Sequence, residues 1–285
     1  MAPRVWLITG TSTGVGRNMA ELLLQKGEIV VATARKPEVL DDLKAKYPAS
    51  QLLVLHLDVD KPQEIKRTFV EAKNAFGRID VVFNNAGWSM LGELEVTPEE
   101  EARKMFDTNF WAAANVSREA VGFFREENKP SGGLLINNTS KGGIVAVPGL
   151  GYYAASKHAL EGFTKSLAAE LDPAWNIKVS SVELGTFYTP IIGKVGTGDR
   201  YIHPAYTKPE LPTVFLRSLV NSGQRLGADP KKAVERIYEF SLDSEPSLYF
   251  PLGKDSIQEI KEEIRRIEQD VTKHEARSEG LEFDA

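Results

Sequence analysis

Short apolar runs rich in Val, Ile and Leu alternate with amphipathic stretches through most of this chain, and that alternation limits its fold more than any other feature. The runs cover residues 5–8, 29–32, 52–57, 81–83, 134–136 and 179–182, with a weaker one at 247–250. They show little polar alternation, which is the pattern of strands buried on both faces. Helical periodicity fills the gaps at 16–25, 62–75, 98 to about 126, and 152–171. Such strand–helix alternation predicts right-handed βαβ units in one parallel sheet with helices on both faces. The expected architecture is a doubly wound α/β sheet of about seven strands, one per apolar run, in a single domain over residues 1–285.

Two regions depart from the rhythm. Residues 186–227 form a Pro- and Gly-rich insertion, expected to be a substrate-binding loop because structureless connections this long are usually functional. Residues 255–274 read as a charged amphipathic helix with Ile257, Ile260, Ile264, Ile267 and Val271 at spacings of three and four. The expectation is a surface helix packing one stripe on the sheet, with a dimer contact as the alternative.

Composition narrows the chemistry. The chain has no cysteine, which excludes a disulfide scaffold, a thiolate metal site and a cysteine nucleophile. Its four histidines show no paired ligand spacing, so no metal site is expected. With 35 Lys+Arg against 40 Asp+Glu, the net charge is −5, which lacks the basic footprint of a nucleic-acid binder. No apolar run approaches the roughly 20 residues of a membrane span. The apolar stretch at 5–8 is too short for a secretory signal, so a soluble cytoplasmic protein is expected.

The first run leads into Thr9-Gly10-Thr11-Ser12-Thr13-Gly14-Val15-Gly16 and then a helix. Glycines at a strand-to-helix turn let the backbone approach a ligand, and the helix start aims free N–H groups at an anion. In an open α/β sheet the usual occupant is a dinucleotide pyrophosphate. No Lys-Ser/Thr follows the last glycine, so the turn is not a P-loop. The second run ends Thr33-Ala34-Arg35-Lys36, without the carboxylate that binds the ribose of NAD. Arg35 is suited to fork onto a 2′-phosphate, with Ser12 and Thr13 as hydroxyl donors, so the residues favour NADP; the competing reading is a pair of solvated cations. Asp58 reads either as a cap on the adenine amine or as a turn or N-cap residue before Lys61-Pro62.

Tyr153 and Lys157 are four apart in a helical pattern and share a face. An ammonium about 5 Å from a phenol contributes roughly 3 kcal/mol at an effective dielectric near 20, or about two pKa units, enough to tune tyrosine for proton transfer. Asn84-Asn85-Ala86-Gly87 and Asn138-Thr139-Ser140 follow the fourth and fifth runs, at the strand edge where open α/β sheets bind ligands. Asn109 lies inside the long helical pattern, where a tolerated polar residue on the exposed face is the plainest reading.

Together these motifs resemble the short-chain dehydrogenase/reductase family over residues 4–190: T-G-x-x-x-G-x-G at Thr9 to Gly16, N-N-A-G at Asn84 to Gly87, and Y-x-x-x-K at Tyr153 to Lys157. The resemblance implies a Rossmann-type sheet and a catalytic tetrad of Asn109, Ser140, Tyr153 and Lys157. In it Tyr153 is the proton donor and acceptor, and Lys157 binds the nicotinamide ribose and lowers the phenol's pKa. Ser140 polarises the substrate oxygen, and Asn109 holds a relay water. The motif selects Tyr153 over its neighbour Tyr152. The implied cofactor site comprises Gly10, Ser12, Thr13, Val15, Gly16, Arg35, Asp58, Val59, Asn85, Ala86, Gly87, Tyr153, Lys157, Gly185, Phe187 and Thr189. The chain departs from the family's P-G pattern with Leu184-Gly185, expected to loosen the loop over the nicotinamide.

The pattern Phe250-Pro251-Leu252-Gly253-Lys254-Asp255 is similar to the hydroxysteroid/retinol dehydrogenase-like branch, which implies bulky apolar carbonyls or secondary alcohols. Trp88, Met90, Leu91, Val147, Leu150, Phe187 and Tyr188 are candidates for a lipophilic pocket, or for core packing beneath loops. Two functions follow: an NADP(H)-dependent oxidoreductase, and a dinucleotide sensor without turnover. Family habit implies a homodimer or homotetramer.

Overall fold

In the computed structural model, which describes residues 2–189 and 201–283, six parallel strands form one sheet. They are β1 (Val5–Ile8), β2 (Ile29–Ala34), β3 (Leu52–His56), β4 (Val81–Asn84), β5 (Gly133–Asn138) and β6 (Ile177–Val182), in the order β3-β2-β1-β4-β5-β6. The helices are α1 (Gly14–Gln25), α2 (Asp41–Lys44), α3 (Pro62–Phe76), α4 (Glu99–Phe106), α5 (Ala113–Glu126), α6 (Gly151–Glu170), α7 (Pro212–Asn221), α8 (Pro230–Phe240) and α9 (Lys254–His274).

Strand alternation divides the core into two layers. Trp6, Ile8, Val30, Ala32 and Phe83 face Met19, Leu23, Val234 and Ile237 of α1 and α8. Val5, Leu7, Val31, Val82 and Leu135 face Ile65, Phe69, Val116 and Phe124 of α3 and α5. Every strand residue of β1 and β4 is buried, which accounts for the unbroken apolar runs in the sequence.

The sheet has six strands rather than the seven expected. The segment 248–252 does run alongside β6: Ser181, Glu183 and Gly185 N–H groups donate to the carbonyls of Leu248, Phe250 and Leu252, and the N–H groups of Phe250 and Leu252 donate back. The chain kinks after β6, where Leu184 N–H turns back to Val182 O at 3.1 Å, and only isolated bridges pair Ser181 with Tyr249 and Leu184 with Leu252. Pro251 brings no N–H and suits this edge position.

Three further expectations change. The helical pattern from residue 98 to 126 is interrupted by a π-helical turn at Asp107–Ala112, and Asn109 within it is fully buried rather than exposed. The insertion at 186–227 is not all loop, since it contains α7; residues 190–200 lie outside the described part. Of the apolar stripe of α9 only Ile260 is buried, while Ile257, Ile264, Ile267 and Val271 are exposed; Ser256, off the stripe, is the other buried residue of the helix. No helix among the described residues is long and apolar enough to cross a membrane.

A buried polar network ties the strand ends beneath the site. Asn84 Nδ2 donates to Ala113 O at 2.8 Å and to Asn137 Oδ1 at 2.9 Å. Asn137 Nδ2 donates to Thr164 Oγ1 at 2.9 Å, and Ser117 Oγ donates to Asn137 Oδ1 at 3.0 Å. Asn137→Ala strips a partner from Asn84, Ser117 and Thr164 at once, and is expected to lower the unfolding free energy by about 2–4 kcal/mol, read by denaturant titration.

Candidate active site

The carboxyl ends of β1, β2, β4, β5 and β6 open onto one cavity of about 540 Å³, within the range of small-molecule sites. Its position is set by strand order: β1 and β4 are neighbours in space but not in sequence, so their connections leave toward opposite faces and part a crevice between them.

One end of the cavity is built from two touching turns. Gly10 has φ +72°, and a Cβ there would lie 3.0 Å from the Ala86 backbone, so glycine lets the turn after β1 rest on the turn after β4. Thr9 Oγ1 accepts from Asn85 N–H at 2.8 Å and Ala86 N–H at 2.9 Å, and Asn85 Nδ2 donates to Thr9 O at 2.9 Å. Ser12, Thr13 and Val15 line the cavity at the start of α1, whose first turn has no side-chain cap. Those N–H groups suit an anion. Gly16 does not line the cavity; a Cβ there would fall 2.4 Å from Gly10 O, so this glycine seats the helix on its own turn.

Beyond the turns, Arg35, Asp58 and Val59 line the adjoining wall. Asp58 is a turn residue that also faces the cavity; it accepts from Asp60 N–H at 3.4 Å, and the N-cap of α3 is Lys61, not Asp58. Asp60, which the sequence reading missed, shares this wall and bonds the Thr108 hydroxyl at 3.1 Å. Burial, with Asp58 and Asp107 adding to it, pushes Asp60 above the usual carboxylate range.

At the other end, α6 brings Tyr153 and Lys157 to Ser140, and all three line the cavity. Ser140 Oγ accepts from Gly142 N–H at 3.1 Å and reaches Leu184 O at 3.4 Å. Lys157 Nζ donates to Asn138 O at 2.8 Å and stands 5.8 Å from the centre of the Tyr153 ring. Burial draws the Lys157 ammonium down to about 8, against the opposing pull of Glu161. Burial also raises the Tyr153 phenol, opposed by the Ser140 hydroxyl. The lowering of the phenol by the ammonium that the resemblance implies is not the balance in the protein alone, where burial raises Tyr153 and the Lys157 ammonium donates to the Asn138 carbonyl.

Asn109 lies behind the cavity. Its Nδ2 donates to Trp88 O at 2.9 Å and Ser156 Oγ at 3.1 Å, and its Oδ1 accepts from Trp88 N–H at 3.0 Å. Gly87 keeps room there, since a Cβ would lie 3.1 Å from Asn109 Oδ1 and 3.7 Å from Lys157 Nζ. Gly185, Phe187 and Thr189 form the facing wall. Trp88, Leu91, Val147, Leu150, Leu216 and Val220 supply an apolar flank; Met90 and Tyr188 do not line it. Leu216 and Val220 of α7 are further residues missed, although their spacing of four carried the signal. Buried Asn138 Oδ1 has no partner among the described residues, and with the glycine cradle and free helix N–H groups it fits this cavity to a polar, anionic dinucleotide.

A polypeptide with this sheet, glycine turn and Tyr–Lys pair defines the class of nicotinamide-dinucleotide oxidoreductases that transfer hydride at CH–OH/C=O carbons. The chain matches the family model for short chain dehydrogenase over residues 4–199. It is 34% identical to oxidoreductase calM of Penicillium decumbens over 279 residues, covering 95% of this chain and 90% of that protein. It is 34% identical to 3-ketodihydrosphingosine reductase of Bacteroides thetaiotaomicron over 256 residues, covering 89% of each. A short-chain dehydrogenase from Streptomyces avermitilis superposes with TM-score 0.85 at 33% identity, covering 99% of this chain and 100% of that one. A short-chain dehydrogenase from Burkholderia cenocepacia in complex with NADP gives TM-score 0.68 at 25% identity, covering 96% and 97%. The chain belongs to the short-chain dehydrogenase/reductase family.

Beneath Lys157 two acids are buried together, Glu161 at 1% exposure and Glu183 at 0%. Ser181 Oγ reaches Glu161 Oε2 at 3.2 Å and also bonds Glu183 Oε1. Burial, then the Glu161 charge, raises Glu183 to about 8. The folded state therefore holds a proton that the unfolded chain releases near 4.5, so stability should fall as pH rises from about 4.5 through about 8. Glu183→Gln keeps the shape and removes this titration, and denaturant unfolding across that window should give a flatter profile than the parent.

Proposed function

We propose that the chain is an NADP(H)-dependent reductase of bulky hydrophobic ketones or aldehydes, with oxidation of the matching secondary alcohol as the reverse reaction. The observation that carries this reading is the convergence of Ser140, Tyr153 and Lys157 on one cavity with the glycine turn and an apolar flank. The similarity to a relative named as a keto-compound reductase supports the reductive direction, and the Phe250 to Asp255 pattern supports a bulky apolar substrate.

When bound, the nicotinamide supplies or accepts the hydride. Tyr153 holds the proton that joins the carbonyl oxygen; its raised pKa keeps the phenol protonated at neutral pH, the state a donor needs. Ser140, whose oxygen accepts from Gly142 N–H, turns its one hydroxyl proton from Leu184 O to the substrate oxygen and orients it beside the phenol. Lys157 presents a buried positive charge that stabilises the tyrosinate left behind and binds the ribose of the nicotinamide half. Asn109, with its amide engaged by Trp88 and Ser156, fixes the wall behind Lys157 and holds the relay water through its remaining acceptor capacity.

At the adenosine end, Gly10, Ser12, Thr13 and Val15 form the pyrophosphate cradle, with Gly16 seating the helix behind it and Asn85, Ala86 and Gly87 beside it. Asp58 and Val59 flank the adenine, Gly185, Phe187 and Thr189 cover the nicotinamide, and Arg35 receives the 2′-phosphate. A sensor without turnover has no use for the buried phenol and ammonium, which weighs toward the enzyme.

NADPH oxidation with a panel of hydrophobic ketones tests the reading. Tyr153→Phe should lower kcat at least about 100-fold, the scale of a lost general acid, with NADPH affinity within a few-fold; retained turnover overturns the role of Tyr153. Arg35→Asp should swing the NADPH/NADH ratio of kcat/KM toward NADH by about tenfold or more, since a charge-assisted bond gives way to repulsion. An unchanged ratio removes Arg35 as the selector.

A further inference from the structure

The first turn of α9 reaches back to the active site from beyond the stretch matched by the family model, which ends at residue 199. Asp255 Oδ2 accepts from Thr186 N–H at 2.8 Å and lies 3.1 Å from Lys141 Nζ. Lys141 directly follows Ser140, lines the cavity, and makes a second ion pair with Glu259 Oε1 at 2.5 Å. Next to Asp255, Ser256 Oγ donates to Glu183 O at 2.6 Å in a fully buried contact. The loop is thus gripped at Glu183 and Thr186, on either side of Leu184 and Gly185.

Approach is as close as chemistry allows. A Cβ on Gly185 would stand 2.1 Å from Asp255 Oδ1, so glycine at this position admits the carboxylate. Burial opposes the charge on Asp255, but the Thr186 N–H and the Lys141 ammonium outweigh it and hold the carboxyl below its ordinary range. An acid in the first turn of a helix is also favoured by the helix dipole. Leu184, where the sequence suggested a loosened loop, is held from both sides: Lys141 N–H donates to its carbonyl at 2.9 Å, and Gly185 N–H donates to Leu252 O at 2.8 Å.

We propose that Asp255 is a positioning residue of the active site: with Lys141 it fastens the first turn of α9 to the 185–187 loop and to the segment after Ser140, and so fixes the wall that meets the nicotinamide half of the dinucleotide. The assignment of that wall to the nicotinamide rests on the function proposed above; the fastening itself rests on the contacts of Asp255.

Two readouts separate these layers. Hydrogen exchange in the dinucleotide-free protein reads the Thr186 amide, and fluorescence titration reads NADPH affinity. Asp255→Ala should speed exchange at Thr186 and weaken NADPH binding, each by about tenfold or more, the scale of a lost bond to a charged acceptor. Asp255→Asn keeps an acceptor without the charge and should lose about threefold in each, since charge roughly doubles such a bond. Glu259→Gln cuts the other Lys141 pair and should leave both within twofold. Thermal unfolding identifies variants that fail to fold, and Asp255→Asn then carries the test. Unchanged exchange and affinity in the folded Asp255 variants overturn the proposal. If the parent protein binds neither NADPH nor NADH, the proposed function fails; Thr186 exchange then still decides whether Asp255 fastens the loop, with unchanged exchange overturning it.

Discussion

A lysine that is only 4% exposed makes the heaviest demand on this structure. Burial disfavours the charge on Lys157, and a buried cation persists only where dipoles and counter-charge surround it. Here the Asn138 carbonyl accepts its proton at 2.8 Å, and Glu161 lies one helical turn further along α6. Asn138 ends β5, while Glu161 is linked through Ser181 to β6. The ammonium is therefore accommodated only when α6 docks across the ends of both strands. The same docking carries Tyr153, one turn earlier, to Ser140, so the requirement that hides the charge also assembles the site.

Strand order supplies the other half of the geometry. The turns after β1 and β4 come together because those strands are paired, with Ile8 opposite Phe83. They stay together because Thr9 and Asn85 exchange hydrogen bonds and Gly10 leaves no side chain between them. Beneath them, Asn84 and Asn137 span β4 and β5 with buried amides, which in a low-dielectric interior penalises any slip that breaks the pairing. Polar residues at the ends of otherwise apolar strands thus serve register first and ligand contact second.

What the sequence disclosed follows from the range of each interaction. The glycine turn, the Tyr153–Lys157 spacing and the apolar runs are local patterns, and local patterns survive in a string of letters. Asn109 was misplaced by local reasoning because a π-helical turn rotates it inward, and one added residue per turn leaves no mark on helical periodicity. The run at 247–250 resembles a strand yet forms only bridges, because the partner backbone kinks at Leu184. Asp255 sits 69 residues from Thr186 and 114 from Lys141, and although the Phe250 to Asp255 pattern was legible, nothing in it says which residues Asp255 meets. The stripe on α9 was legible as a helix, but its packing was not: periodicity says which side chains share a face and is silent about what covers that face.

The two flanks of the cavity differ in chemistry and in part in origin. The polar flank comes from strand ends and glycine turns inside the stretch matched by the family model; the apolar flank takes Trp88, Leu91, Val147 and Leu150 from that stretch and Leu216, Val220 and Leu226 from segments after it. Changes at Leu216, Val220 or Leu226 alter the shape offered to a substrate and leave in place the bonds of Ser140 with Gly142 and of Lys157 with Asn138. The flanks are nevertheless coupled through solvent. On the proposed function, an apolar substrate against Leu216 and Val220 displaces water from the cavity they share with the phenol, and lower local polarity strengthens the hydrogen bonds made there. A good fit on the apolar side thereby sharpens the polar chemistry opposite, which is how a scaffold with fixed acid–base groups becomes selective through residues that never touch the reacting atoms.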